Sequence, residues 1–527
     1  MKSLYLTVFV CLIVSGLYAQ KIDLAWGPEK KFDKRSHEMG FVGRIKDHFY
    51  TLREDDKIIY LAKTRISDMS LVWEKPIQWN DVKRSNSRDK NLTFNSFRFF
   101  RENFVFYFED FDPKDDIQRL YAQKINFEGA PEGDLVEVGS RIKQRRSRDG
   151  SFSLAFTPDS LNFVVITNPY YERYASEKFL FKVVDQRLNV LHNYELTLPF
   201  RDQDFTVESV VVSRSKTIYL LAKIDVPKKD RKDKEPNYYY EIVSLAAAEN
   251  GKPKEYELKL PSKYIDNVDV IVDKTDNIKC FGFYADMQNN GKRKDGLNGI
   301  FYFSLAKEAI DNINIKEFDP KLVLDISGRR RANRDKGLEP NFHLKFFFDK
   351  PDGGAMVLAE EQFIQVVTVR TGNGGYTTSY HYYNNSILAV NIDPAGKIIW
   401  YTHIPKEQHT VNDNRFGSFH AMYINNKVYI VYNDEKGNAI TKSYENEMRN
   451  YLKAVPVVVT INDAGKSDKQ MIGADKPGKA DFIVKPKYSD KIDDNEAFLY
   501  ADRLGKSCCV VGARRTKTTR FGLLAIK

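Results

Sequence analysis

With 527 residues and 42% hydrophobic composition, the chain is long enough to bury a large core. Its formal charge of +10 is a small surplus of 82 basic over 72 acidic residues, dispersed through a surface rich in both signs. The basic runs lack the interleaved aromatic side chains that stack bases, and this argues against nucleic acid as a partner.

The N-terminus has the layout of a secretory signal. Lys2 supplies positive charge, Leu4 to Val14 form an apolar run, and Leu17-Tyr18-Ala19 ends in a small residue before Gln20. Residues 1–19 therefore read as a signal cleaved after Ala19, and residues 20–527 as one folded domain. The apolar run is much shorter than the ~20 residues of a membrane-crossing helix. No later run is longer, so no transmembrane segment is expected. Cys11 lies inside the run rather than after small residues at its end, which does not fit a lipid-attachment cysteine. Beyond the signal, the isolated Cys280 and the adjacent Cys508-Cys509 pair set up no disulfide framework, because neighbours in a strand point to opposite faces.

From Gly40 onward one phrase of roughly 45 to 65 residues recurs about eight times: an apolar strand, a second after a tight turn, a variable loop, a third strand and a short fourth. The clearest copy runs from Phe94 to Gly139, with strands at Ser96 to Phe100, Phe104 to Phe108, Leu120 to Ile125 and Leu135 to Val138. Others span Gly40 to Trp79, Ser151 to Phe200, Val207 to Pro261, Val268 to Ile326, Leu344 to Pro405 and Ser418 to Ile472. The last unit offers only Ala497 to Arg503, Cys508 to Arg514 and Phe521 to Ile526, one strand short. The orphan segment Lys21 to Trp26 supplies the missing strand. The expected fold is all-β, a single β-propeller of about eight four-stranded blades, seven being the alternative, closed by the N-terminal strand joining the C-terminal blade. Short helices are expected only within loops, at Ala306 to Ile310 and Glu445 to Leu452.

The connection between second and third strands varies most: Val226 to Asn237, Met287 to Asn298, Thr371 to Asn384 and Asp434 to Tyr451. Equivalent loops gather on one face of a ring, so that face is the expected seat of function. Two kinds of candidate binding residue follow. The run Gly372 to Gly375 precedes Tyr376, Tyr380, Tyr382 and Tyr383, which could cover a ligand as an aromatic lid. Basic loops carry Arg145 and Arg146, and Arg329, Arg330 and Arg331, suited to an acidic partner protein or an anionic surface; Lys228 to Lys234 and Arg514 to Arg520 are further basic runs.

Signatures of catalysis are missing. The histidines, among them His37, His343, His381, His403, His409 and His420, lack zinc-site spacing, and no Gly-x-Ser-x-Gly elbow, P-loop or dinucleotide glycine pattern occurs. The stretch Asp286 to Gly291 imitates part of a calcium loop, but Gln288 replaces a preferred ligand and Leu297 stands where a bidentate Glu belongs. Paired carboxylates for glycoside chemistry are offered only by Glu360-Glu361 and Asp493-Asp494. No catalytic residue, metal or cofactor is therefore expected. The segment Asn391 to Trp400 resembles the repeat of quinoprotein-like propellers, but its one echo, Leu71-Val72-Trp73, is too little to expect a quinone.

Glu360-Glu361-Gln362-Phe363, His381-Tyr382-Tyr383, Ile387 to Asp393, Gly396 to Trp400, Ile404-Pro405-Lys406-Glu407-Gln408 and Tyr432-Asn433-Asp434 together resemble a block of uncharacterised exported β-propeller-like proteins of Bacteroidota. The resemblance implies location and architecture rather than a reaction. The resulting expectation is a non-catalytic periplasmic propeller that binds or scaffolds an envelope or secretion assembly. A glycan-acting propeller enzyme and a ligand-binding sensor or carrier are the alternatives.

Overall fold

The computed structural model describes residues 22–32, 36–79, 92–143, 149–246, 251–306, 309–310, 313–332, 336–449, 451–473, 482–493, 495–503 and 517–527. They form eight antiparallel sheets, which settles the blade number at eight. Blade 1 spans Ser36–Ile45, His48–Asp55, Ile58–Arg65 and Leu71–Pro76, and blade 2 Thr93–Phe99, Phe104–Asp112, Ile117–Ile125 and Pro131–Ile142. The pattern continues through blade 7, whose strands are His420–Ile424, Lys427–Glu435, Ala454–Ile461 and Ser467–Met471.

Burial explains why these segments are strands. Second and third strands are covered on both faces by neighbouring blades, so they read as continuous apolar runs. In blade 2 each residue from Phe104 to Phe108 is buried. Every adjacent pair of blades shares an apolar cluster, from blades 1 and 2 around to blades 7 and 8. Phe49 and Met69 of blade 1 meet Phe498, Tyr500 and Phe521 of blade 8, so the ring is closed.

The seam is where the sequence placed it. Ile22–Trp26 runs antiparallel to the last strand, with Ile22 opposite Ile526 and Trp26 opposite Gly522. Lys30–Phe32 extends the pairing along the same strand. Trp26 lies over Gly522, where an added Cβ would come within 2.7 Å of the indole. Glycine is required there because the ring occupies the space of a side chain.

Three expectations need correction. Blade 8 takes its inner position from Phe482–Val484 and Asp490–Asp493, which pair with Glu496–Arg503, so Glu496–Arg503 is the second strand and not the first. The turn at Pro486–Tyr488 splits the inner strand into pieces too short to show a pattern. The expected strand Cys508 to Arg514 lies outside the described residues. Thr371 to Asn384 is no loop: Ala355–Arg370 and Tyr376–Ile392 form one long hairpin turned at residues 371–375.

The third correction concerns helices. Ala309–Ile310 is a strand and Tyr451–Lys453 a single 3-10 turn, while α-helices occupy Pro320–Ser327, Arg329–Ala332 and Lys436–Thr441. The first of these carries its own signals: Asp319 caps it by accepting from the Lys321 backbone N–H at 2.7 Å, Pro320 opens it, and Gly328 at φ 76° ends it.

In an up-and-down blade, connections between second and third strands share a face with the blade-to-blade crossovers. Blades 4 to 7 carry their additions there: residues 226–237, 287–298, 371–375 with the flanking hairpin, 436–453, and the helical crossover 318–341. The opposite face carries short turns such as residues 393–397 and 462–466.

Candidate functional site

The blade 6 hairpin dominates the elaborated face. Its lower half is an ordinary pair of blade strands, with Leu358 opposite Ala389 and both buried. A register shift between Glu360 and Gln362 then breaks the ladder, and such a bulge bends and re-aims the strand. Beyond it, Gln362–Arg370 and residues 376–384 continue as an arm past the end of the blade. The first strand of blade 6 reaches only to Glu361, while His409–Val411 flanks the arm's other side.

The arm is an exposed sheet with unusual chemistry. Ile364 and Val366 are each 56% exposed, Tyr376 74% and Tyr380 47%. In a chain with 29% charged residues, Arg370 is the sole Asp, Glu, Lys or Arg between Gln362 and Ile392. Aromatic enrichment with depletion of charge is the signature of an interface core, not of a solvated face. Phe363, Tyr383 and His409 stack as a column with 4.5 Å between successive ring centroids. His381 Nδ1 and His409 Nε2 share a hydrogen bond at 2.9 Å, and burial holds the His409 imidazole below its usual value. Tyr383 is thus a packing residue, whereas Tyr376 and Tyr380 face solvent.

At the foot of the arm lies a cleft of about 760 Å³. One wall is Gln362, Phe363, Ile364 and Tyr382; the other is Asn412 to Arg415, with His343, Lys487 and Tyr488 completing it. Arg415 is held by Asp413 at 2.6 Å. Lys487 donates no hydrogen bond to any described residue; burial of its stem and the nearby Lys345 ammonium hold it below the ordinary lysine value.

A buried polar network forms the floor. Lys406 donates to Glu360 Oε1 at 2.8 Å, to the Asn384 carbonyl and to Gln408 Oε1 at 3.2 Å. Ser418 Oγ donates to Glu360 Oε2 at 2.6 Å. Gln408 Nε2 reaches the Asn433 carbonyl, and Asn433 exchanges hydrogen bonds with the Val484 backbone of blade 8. Upward, Lys345 donates to Gln362 Oε1, and Gln362 Nε2 to Asn384 Oδ1. Burial pulls the Lys406 ammonium down while Glu360 pulls it up. Glu360, Gln362, Lys406, Gln408 and Asn433, all from the block singled out by resemblance, are thus hydrogen-bonded into one network that joins blades 6, 7 and 8 beneath the cleft.

This arrangement removes Glu360 as a surface acid: it is fully buried and ion-paired. Asp494 lies outside the described residues. Glu361 differs. Burial first, then the neighbouring Glu339 carboxylate, pushes its carboxyl up to about 7. A carboxyl raised in this way holds its proton more tightly in the folded chain. The stability it contributes is complete below about pH 4 and is lost as pH rises through 7. Glu361→Gln is expected to melt with the parent chain near about pH 4 and above it at about pH 8; an equal gap at both pH values would remove the assignment.

The basic candidates fare unevenly. Arg331 is spent inside the fold, bonding Glu339 at 2.6 Å, Asp295 at 3.2 Å and the Gly337 carbonyl at 3.0 Å. Arg329 is exposed, Arg330 shares its helical turn, and Arg145 and Arg146 lie outside the described residues. His403 bonds Ser386 and His420 is buried against Phe346, both pushed down to about 4 by burial. Asp286 pairs with Lys263 and Leu297 is core, so the calcium-like stretch is built into the fold. Among the described residues no three His, Cys, Asp or Glu side chains converge as a metal site. No helix among them is long and apolar enough to cross a membrane. Sequence reasoning missed Lys406, Gln362, Lys487 and Arg415 as site residues; the charge-free stretch after Gln362 was the available signal.

No family model and no curated protein matches the chain. Solved structures that resemble it are propellers at very low identity. The WD40 domain of SCAP from fission yeast is 9% identical, with 96% of this chain and 98% of that one covered and a TM-score of 0.37. The β-propeller domain of the Trilobed protease from Pyrococcus furiosus is 10% identical over 85% and 97% of the two chains, at 0.33. Prolyl oligopeptidase B from Galerina marginata is 9% identical at 0.37, and 89% of this chain spans 56% of that enzyme. Similarities this remote assign no activity; this chain is a β-propeller of eight blades on its own topology.

Proposed function

We propose that the chain is a non-catalytic propeller of the bacterial cell envelope, exported to the periplasm, that docks a partner protein on the face bearing the arm and cleft. The signal-like N-terminus and the resemblance to exported Bacteroidota proteins support the location. The observation that carries the binding reading is the arm: an uncharged sheet that puts Ile364, Val366, Tyr376 and Tyr380 into solvent beside a polar cleft. A monomer with no partner gains nothing from that surface and risks aggregation through it.

Site-specific photo-crosslinking in cells tests this. A benzophenone residue at Tyr380 is expected to yield one discrete adduct, and the same residue at exposed Ala464 on the opposite face none. Adducts of equal yield at both positions, or none at Tyr380, would reject the docking face.

A further inference from the structure

The arm has an open edge, and its hydrogen-bonding pattern can be read. The Gln362 N–H points away from the hairpin and is taken by the Asn341 carbonyl at 2.8 Å. Along an antiparallel strand, alternate residues present both N–H and C=O to the same side. The residues in step with Gln362 are Ile364, Val366 and Thr368, so their N–H and C=O groups face outward. On the inner side, Thr371 bonds the Gly375 carbonyl, as the same alternation requires. Among the described residues no strand pairs with Gln362–Arg370 on that outer side.

Two features point to what covers the edge. Gln362, Phe363 and Ile364 are consecutive yet all line the cleft, so the backbone edge itself opens into it. Exposed edge strands are ordinarily guarded by charge or proline, but Phe363 to Val369 contains neither. The cleft at the end of this edge presents Lys487, which lacks a described hydrogen-bond partner, and Arg415.

The geometry points to β-strand addition: an extended segment of a partner polypeptide pairs with Ile364, Val366 and Thr368 and places a carboxylate in the cleft beside Lys487 and Arg415. This rests on the docking-face reading and specifies its mode. The carboxylate belongs to an acidic side chain or to the segment's free C-terminus. The arm supplies main-chain affinity, and the cleft fixes register and direction.

The test uses the mature chain, residues 20–527, panned against random dodecapeptides. Enriched peptides are then synthesised with free and with amidated C-termini. The expected binders carry Asp or Glu, or lose binding on amidation, which separates the two carboxylate sources. They slow hydrogen exchange at the Ile364, Val366 and Thr368 amides. Val366→Pro, which deletes one outward N–H and leaves the inner ladder intact, is expected to weaken them at least about tenfold. Lys487→Glu is expected to do the same. N-methylation of alternate peptide residues should abolish binding in one register and spare it in the other, a readout that leaves the protein untouched. Binding equal in both registers overturns the proposal, as does the absence of any enriched peptide. A concentration-dependent dimer abolished by Val366→Pro would overturn it in favour of a second copy as occupant. If Tyr380 crosslinks a partner whose binding ignores Val366→Pro, strand addition falls while the docking face stands.

Discussion

A chain of residues 27–527 is expected to unfold at a much lower temperature than one of residues 20–527 and to aggregate at concentrations where the latter is monomeric. The deletion removes the fourth strand of blade 8, leaving the Gly522–Ile526 edge without its partner. Ile22, Leu24 and Trp26 are half-buried against a cluster holding Ile472, Val484, Leu524 and Ile526. At about 1–2 kcal/mol for each half-buried side chain, the loss is of order 5 kcal/mol, a large fraction of what holds a domain together. The exposed edge would also be apolar, which is the hazard that ring closure removes. A synthetic peptide of residues 20–32 added in trans should raise the melting temperature back toward that of the intact chain. A truncated chain that stays monomeric and melts within about 2 °C of the parent would show that the ring needs no such clasp.

The ring was legible because each blade repeats the same order of four strands, and repetition averages out local ambiguity. The clasp was legible for a related reason: an unassigned strand at one end and a deficient sheet at the other have one economical solution. Blade 8's inner strand escaped because Phe482–Val484 offers too few residues before Lys485-Pro486. The arm was read as a lid because the glycines at 372–375 dominate their neighbourhood, although Thr, Val and Tyr on either side favour strands. Its alternation is weak since both faces meet solvent, and no periodic signal separates inside from outside. The cleft was not legible at all. Glu360 and Lys406 are 46 residues apart, on a second strand and beyond a fourth, and they meet only because the crossover into blade 7 folds back under the bulge. A sequence shows two ordinary charges; only the packing shows that they are buried together as an ion pair.

That dependence makes Lys406→Met the most disruptive conservative change available at the site. The side chains of Lys406 and Glu360 are 1% and 0% exposed, so the substitution strands a carboxylate in the interior. Removing one member of such a pair costs about 3–5 kcal/mol; here the low end applies, because Lys345 Nζ stays 3.8 Å from Glu360 Oε2 and Ser418 Oγ still donates to it. The Asn384 carbonyl and Gln408 Oε1 lose their shared donor in the same step. Because Asn384 also receives Gln362 at the root of the arm, the damage should travel upward, with faster hydrogen exchange in residues 362–384 while blades 2 to 4 keep their protection. Replacing both partners, Glu360→Gln with Lys406→Met, should recover much of the loss, since an uncharged pair carries no uncompensated charge. A double variant as unstable as Lys406→Met alone would mean that the hydrogen bonds and not the charges dominate. A single variant with unaltered thermal unfolding would mean that the network beneath the cleft is not what anchors the arm.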